Sequence, residues 1–309
     1  MSYQYIPGIT KKSERGDCQE RWNMIKPLLP KEGVLLDIGT AEGFFLKKIA
    51  EETNLLAVGV EQKKNRAFWQ YKWLNDSHKG KIVSCCFGMN REFSDKLMRV
   101  CDFFDITLIL STLHWINSDE FLKNISRISG KVIIEIPELD DYNATGQNFL
   151  NRIRRNYGNI SKYLNTITGR KVDYIGKVKA HTSKYRSLWL INGDYITERH
   201  IPHLDFEPKC KTNYKIEYSN NRVHFFKDFV EQSWTPGINL LTLKKMNIIF
   251  PKLDWWKNKI DEIVGDINKN CDKRIHNVIV ARDKLFWIDI NHHKHKNTIY
   301  EDIKELVYE

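Results

Sequence analysis

Compact apolar blocks alternate with helix-periodic stretches through the first two thirds of the chain. Residues 34–38, 55–60, 81–86 and 131–136 each form such a block bounded by turn residues, and 104–116 is a longer one that breaks at Ser111. Short apolar runs of this kind predict buried strands. Strands alternating with helical stretches predict an α/β chain with a parallel sheet and helices on both faces. Residues 148–165 then read as a helix weakened by Gly158, and 172–178 with 186–191 read as a hairpin with a long tip.

The first block carries the most chemistry. The run Val34-Leu-Leu-Asp37-Ile-Gly39-Thr40-Ala41-Glu42-Gly43-Phe44 reads as a strand, a tight turn and a helix beginning near Phe44. A strand turning sharply into a helix gathers unpaired helix N–H groups and a partial positive charge, and small turn residues let a ligand approach the backbone. The turn lacks the Gly-Lys-Ser/Thr of a phosphate loop and the Gly-x-Gly-x-x-Gly of a dinucleotide fingerprint. Asp37 ends the first strand, and Glu61 ends the second, about 20 residues on, where nucleotide-binding units place an acid. A carboxylate at Glu61 suits the two hydroxyls of a ribose. One at Asp37 suits a cationic ligand rather than a pyrophosphate. The alternative without chemistry is an ordinary βαβ unit with a glycine turn.

At these residues the chain resembles the class I S-adenosylmethionine-dependent methyltransferases. Their first motif, acid-x-Gly-x-Gly-x-Gly, is matched by Asp37-Ile-Gly39-Thr40-Ala41-Glu42-Gly43, with Ala41 at the middle glycine. The resemblance implies a Rossmann-like seven-stranded sheet ending in an antiparallel hairpin. It implies that Gly39 to Gly43 wrap the methionine moiety, that Glu61 holds the ribose, and that Gln62 lies beside the adenine. It also implies that Phe87-Gly88-Met89 packs the adenine face. Ser111-Thr-Leu113-His114-Trp resembles the fourth motif of family members acting on small molecules. Ligands in such sheets bind outside the carboxyl ends of the strands, so Asp37, Glu61, Ser111, His114 and Glu135 should converge. A base is needed only for a hydroxyl or similar acceptor; His114 is the first candidate and Glu135 a second. The family's sheet would close near Asn192, dividing the chain into 1–192 and a smaller α+β part, 193–309.

Charge sharpens the division. The chain has 49 Lys and Arg against 39 Asp and Glu, but residues 1–150 hold 20 of each, so the excess of ten lies entirely in the remainder. Residues 151–186 alone carry ten basic residues and one acid, Asp173. Arg152, Arg155, Lys184 and Arg186 on the last helix and hairpin are candidates for a clamp on an acidic substrate. The segment could equally be a solubilising face, and arginine near tyrosine also suits RNA.

The part after Asn192 bears a second likeness. Asp272-Lys-Arg-Ile-His-Asn277, the apolar strand 278–280 and Leu285-Phe-Trp-Ile-Asp289 resemble the catalytic segment of protein-kinase-like phosphotransferases. The likeness implies that Asp272 orients a hydroxyl, that Asn277 and Asp289 hold Mg-ATP, and that Lys227 pairs its phosphates. No glycine-rich phosphate loop is recognisable, so a shrunken kinase-like module or an unrelated accessory domain are the other readings. Residues 234–239 look like a capped helix start, with Trp255-Trp256 as a packing cluster.

No apolar run reaches the roughly 18 residues of a membrane span, and residues 1–15 lack a signal-peptide core. The six cysteines show no Cys-x-x-Cys spacing, so no structural metal is expected and the protein reads as cytoplasmic. Three functions stand at this point. The first is a methyltransferase for an acidic small molecule, sugar or glycan end, an arrangement similar to bifunctional kinase–methyltransferases of bacterial surface polysaccharide. The second is an RNA methyltransferase gripping phosphates with 151–186. The third is a non-catalytic module. The acceptor atom and oligomeric state are not legible in the sequence.

Overall fold

Neighbouring residues of the first strand enter two different cores. In the computed structural model Val34, Leu36 and Ile38 face one apolar cluster and Leu35 faces another, because a parallel strand covered by helices on both sides has no solvent face. The structure describes residues 2–10, 13–15, 17–99, 102–179, 185–193, 211–216, 223–225, 229–234, 237–265, 273–281, 284–287 and 298–307.

The central sheet is built from β1 (Glu32–Ile38), β2 (Asn54–Glu61), β3 (Ile82–Cys86), β4 (Phe104–Leu110), β5 (Ser129–Pro137), β6 (Val172–Lys179), β7 (Tyr185–Asn192) and β8 (Ile248–Phe250). Its order is β8-β3-β2-β1-β4-β5-β7-β6. Strands β1 to β5 pair in parallel, and β7 runs antiparallel to both β5 and β6. The seven strands expected from the sequence are therefore present, in a Rossmann-like sheet that ends in an antiparallel hairpin. The eighth, β8, comes from the C-terminal part and pairs antiparallel with β3.

One face is covered by α1 (Cys18–Ile25) and α2 (Phe44–Glu52), through Trp22, Ile25, Phe45 and Ile49. Helix α3 (Lys64–Trp69) follows β2. The other face takes α4 (Arg91–Arg99), α6 (Asp119–Arg127), α7 (Gln147–Asn156) and α8 (Ile160–Thr168), with the short α5 (Leu113–Ile116) after β4. The single helix expected over 148–165 is two helices. Gly158 turns the chain at φ +79°, and Asn159 starts α8 by accepting the Lys162 N–H at 2.8 Å.

The C-terminal part shares this second core. Ile238, Leu243, Trp256 and Val280 join the same cluster as Phe93 and Phe121. The buried Asp102 carboxylate accepts the Asn239 N–H and the Thr242 hydroxyl, and the Tyr71 hydroxyl donates to the Ile249 carbonyl at 2.6 Å. Asn239 caps α9 (Leu240–Lys245), as the capped start predicted, and Trp255 meets Trp256 edge-on at 4.8 Å. No helix among the described residues is long and apolar enough to cross a membrane.

Candidate functional site

A cavity of about 470 Å³ opens at the carboxyl ends of the parallel strands. Gly39, Ala41, Glu61 and Gln62 line it from the ends of β1 and β2, and Ser111, Thr112 and Trp115 from the end of β4. Thr145, Arg186, Met89, Tyr3, Lys63 and Arg66 complete most of the wall.

The glycine turn leaves no space for larger residues. Gly39 has φ +86°, and a Cβ there would lie 2.4 Å from Thr112 Oγ1; at Gly43, with φ +90°, it would lie 2.7 Å from the Trp73 ring. Ala41, standing where the family has glycine, also adopts a left-handed φ of +51°. That conformation costs a residue with a Cβ about 1–2 kcal/mol. It is held by the Ala41 N–H donating to Glu61 Oε2 at 2.9 Å. The Gln70 amide donates to Thr40 Oγ1 and to the Ala41 carbonyl, both at 2.9 Å.

The helix start is not open as the sequence suggested. Gln4 Oε1 accepts the N–H groups of Gly43 and Phe44 at 3.1 and 3.0 Å. In return the Glu42 carboxylate accepts the N–H groups of Tyr3 and Gln4 at 2.7 and 3.0 Å. This clasp satisfies the donors that an anion would use, and Glu42 is spent on the N-terminal segment rather than on the cavity. The turn is thereby closed to phosphate.

The acids remain. Asp37 is 2% exposed, and its Oδ2 is buried without a hydrogen-bond partner. Burial, reinforced by the negative charge of Glu61, pushes its pKa up to about 8. Glu61 is also raised by burial, against the N–H groups of Lys63 and Ala41 that stabilise its charge. A buried carboxyl oxygen without a donor is costly, and a cationic ligand removes that cost. The donor set therefore fits the ammonium and ribose of S-adenosylmethionine.

At the β4 and β5 ends the chemistry inverts. Glu135, fully buried, is bound by Arg21 through Nε–Oε2 at 2.5 Å and Nη2–Oε1 at 3.2 Å. It accepts the Ser111 hydroxyl and stands 3.7 Å from Arg186 Nε. Arg21 also pairs with Asp17 at 2.5 Å. His114 is buried behind the wall, its Nε2 3.2 Å from the Thr145 hydroxyl, and it is Thr145 that lines the cavity. Glu135, the second base candidate, is the centre of an ion-pair cluster.

The other expected residues divide. Asp37, Thr40, Glu42, Gly43, Phe87, Gly88 and Leu113 are not part of the cavity wall, where Gly39, Ala41 and Met89 stand, and Phe44 packs in the core. Of the basic clamp, Arg186 lines the cavity at 2% exposure. Arg152 is turned to Asp119 at 2.6 Å, Arg155 is exposed on α7, and Lys184 lies outside the described residues. Lys227, Asp272 and Asp289 also lie outside them, while Asn277 is 4% exposed. No group of three or more acidic, histidine or cysteine side chains that could hold a metal occurs among the described residues. Sequence reading missed Tyr3, Gln4, Arg21, Arg66 and Thr145. Only the position of Arg66 shortly after Glu61 was a usable signal.

No protein-family model matches the chain, and no curated protein matches it. Among solved structures, the bifunctional kinase-methyltransferase WbdD is similar at a TM-score of 0.49 and 15% identity, over 93% of this chain and 79% of that one. A SAM-dependent methyltransferase from Aquifex aeolicus is similar at 0.41 and 12%, over 61% and 100%. Phosphoethanolamine N-methyltransferase 2 of Haemonchus contortus is similar at 0.40 and 13%, over 57% and 52%. These are likenesses of architecture and carry no statement of substrate.

Proposed function

We propose that the protein is an S-adenosylmethionine-dependent methyltransferase acting on an acidic small molecule, sugar or glycan end. The observation that carries the reading is the orphaned, buried Oδ2 of Asp37 at the end of β1, two residues before Gly39 of the cavity wall, together with Glu61 at the neighbouring strand end. S-adenosylmethionine, when bound, supplies an electrophilic methyl group on a sulfonium. Asp37 would hold its ammonium, Glu61 its ribose hydroxyls, and Gln62 with Met89 would border the base.

The protein's own work is then alignment and exclusion of water. Arg186, lining the cavity and paired with Glu135, binds the acidic group of the acceptor. Glu135 orients Arg186 and Ser111 rather than taking a proton. His114 acts through the hydroxyl of Thr145, a residue of the cavity wall, as the acceptor of a hydroxyl proton. The RNA reading draws less support, because Arg152, Lys171 and Lys177 in the basic segment pair with Asp119, Asp173 and Glu138. Of the residues a Mg-ATP role would use, Asn277 is buried, and Lys227, Asp272 and Asp289 lie outside the described residues.

Calorimetric titration of the full chain with S-adenosylmethionine tests the reading. One-to-one binding is expected, with transfer of labelled methyl to an acidic sugar acceptor; absence of binding ends the proposal. Thr145→Val is expected to lower kcat on a hydroxyl acceptor and leave cofactor affinity unchanged.

A further inference from the structure

Residues 70–73, directly after α3, hold the glycine turn without belonging to the cavity wall. Gln70 is fully buried, and its Nε2 donates to Thr40 Oγ1 and to the Ala41 carbonyl, both at 2.9 Å. A carbonyl oxygen only accepts, so the amide nitrogen has to face Ala41 and the amide oxygen has to face away. That oxygen accepts the hydroxyl of Ser84, on β3, at 2.5 Å. Trp73 Nε1 donates to the Glu42 carbonyl at 3.0 Å. A Cβ on Gly43 would meet the Trp73 ring at 2.7 Å and Gln70 Cγ at 3.3 Å. Thr40, Ala41, Glu42 and Gly43 are thus each bound or bounded by Gln70 or Trp73.

The residue next to Gln70 reaches into the C-terminal part. The Tyr71 hydroxyl donates to the Ile249 carbonyl of β8 at 2.6 Å, and Lys252 Nζ stands 4.8 Å from the centre of the Tyr71 ring. Strand β8 also meets the other support of Gln70, because Phe250 pairs with Ser84 and Ile248 with Cys85. Beyond them the Cys86 N–H donates to the Asn247 carbonyl at 3.0 Å, and the Asn247 amide donates back to the Cys86 carbonyl at 3.1 Å. Cys86 in turn pairs with Glu61. The C-terminal part therefore contacts Tyr71, the sequence neighbour of Gln70, and Ser84, its hydrogen-bond partner.

We propose that Gln70 is a positioning residue for the methionine end of the cofactor, and that Tyr71 makes the C-terminal part a component of the cofactor site. The proposal rests on the transferase reading for the identity of that cofactor. Ala41 is left-handed at φ +51°, and a strained residue persists only where its surroundings over-determine it. Here side chains fix both of its polar groups: Glu61 takes its N–H and Gln70 its carbonyl. One of those side chains is seated by its contact with β3 and, through Tyr71, by β8. Coupling between separated parts is carried by contiguous packed and hydrogen-bonded groups. The chain from the Ile249 carbonyl through Tyr71 and Gln70 to Ala41 is such a path.

The test is calorimetric titration of the full chain with S-adenosylmethionine and with adenosine, which lacks the methionine portion. Gln70→Met keeps the length of the side chain and removes its donors. It should weaken S-adenosylmethionine about tenfold and adenosine by a smaller factor. Tyr71→Phe keeps the ring beneath Lys252 and deletes one hydroxyl; it should weaken S-adenosylmethionine about threefold. Thr242→Val deletes a different hydrogen bond of the C-terminal part, the one to Asp102. It should lower the denaturant midpoint and leave cofactor affinity unchanged. Wild-type affinity in Tyr71→Phe overturns the proposal, and so does an equal loss in Thr242→Val, which would report lost stability alone. Equal losses of the two ligands in Gln70→Met overturn it as well. If Gln70→Met does not fold, the comparison of Tyr71→Phe with Thr242→Val decides. Absence of binding by wild type ends the transferase reading and this proposal with it; binding by wild type and Tyr71→Phe alike ends this proposal alone.

Discussion

The two sides of the cavity are assembled by opposite means. On the cofactor side two acids, Asp37 and Glu61, sit at adjacent strand ends, and one carboxyl oxygen has no donor. On the acceptor side the cation Arg186 is backed by Glu135, which Arg21 and Ser111 hold in turn. The first side is left with an electrostatic demand that a ligand must meet. The second is tied together by ion pairs among its own residues before any ligand arrives. Under the proposed function the first side meets a positively charged partner and the second a negatively charged one.

Breaking the internally satisfied side should have the largest effect on stability. Arg21→Met leaves Glu135 buried beside only Arg186 and should cost about 3–5 kcal/mol in denaturant unfolding. The double variant Arg21→Met/Glu135→Gln should recover much of that, since removing both partners leaves less uncompensated charge. Equal losses in the single and double variants would show that the cluster is not a unit.

On the cofactor side the effects are smaller and fall mainly on binding. Gly39→Ala forces a Cβ toward Thr112 Oγ1 and should weaken S-adenosylmethionine about tenfold while costing about 1–3 kcal/mol of stability. Ala41→Gly relieves the left-handed strain and should raise stability by about 1 kcal/mol, read as an upward shift in the denaturant midpoint. A loss of stability instead would mean that the alanine methyl contributes more packing than its backbone costs.

The contrast also explains what could be read in advance. The sheet order and the acids were legible because Asp37, Gly39, Gly43 and Glu61 belong to one βαβ unit, where spacing encodes geometry. Arg186 was legible as a charge at a strand start. Its role depended on Glu135 and Arg21, which meet across 114 residues of chain, and no local pattern reports such a contact. Gln4 was equally hidden: its amide oxygen substitutes for the anion that a bare helix start invites. The basic segment was legible only as a count of charges without their partners, and Arg152 has one in Asp119. The edge strand β8 was missed because three residues, Ile248–Phe250, carry too little periodicity to register.

The pH dependence of cofactor binding reaches the central claim most directly. With Asp37 raised to about 8 in the ligand-free protein, the native state keeps a proton that the unfolded chain loses. Stability from this group is full below about pH 4 and falls as pH rises toward 8, and Asp37→Asn should abolish that decline. A cationic ligand needs the ionised form, so binding should release a proton. Calorimetric affinity for S-adenosylmethionine in wild type should rise about 20-fold between about pH 6 and 7.5, and Asp37→Asn should bind weakly at both values. Affinity that is flat or falling over that interval, or an Asp37→Asn protein that binds like wild type, would contradict the assignment of Asp37 to the ligand's positive charge.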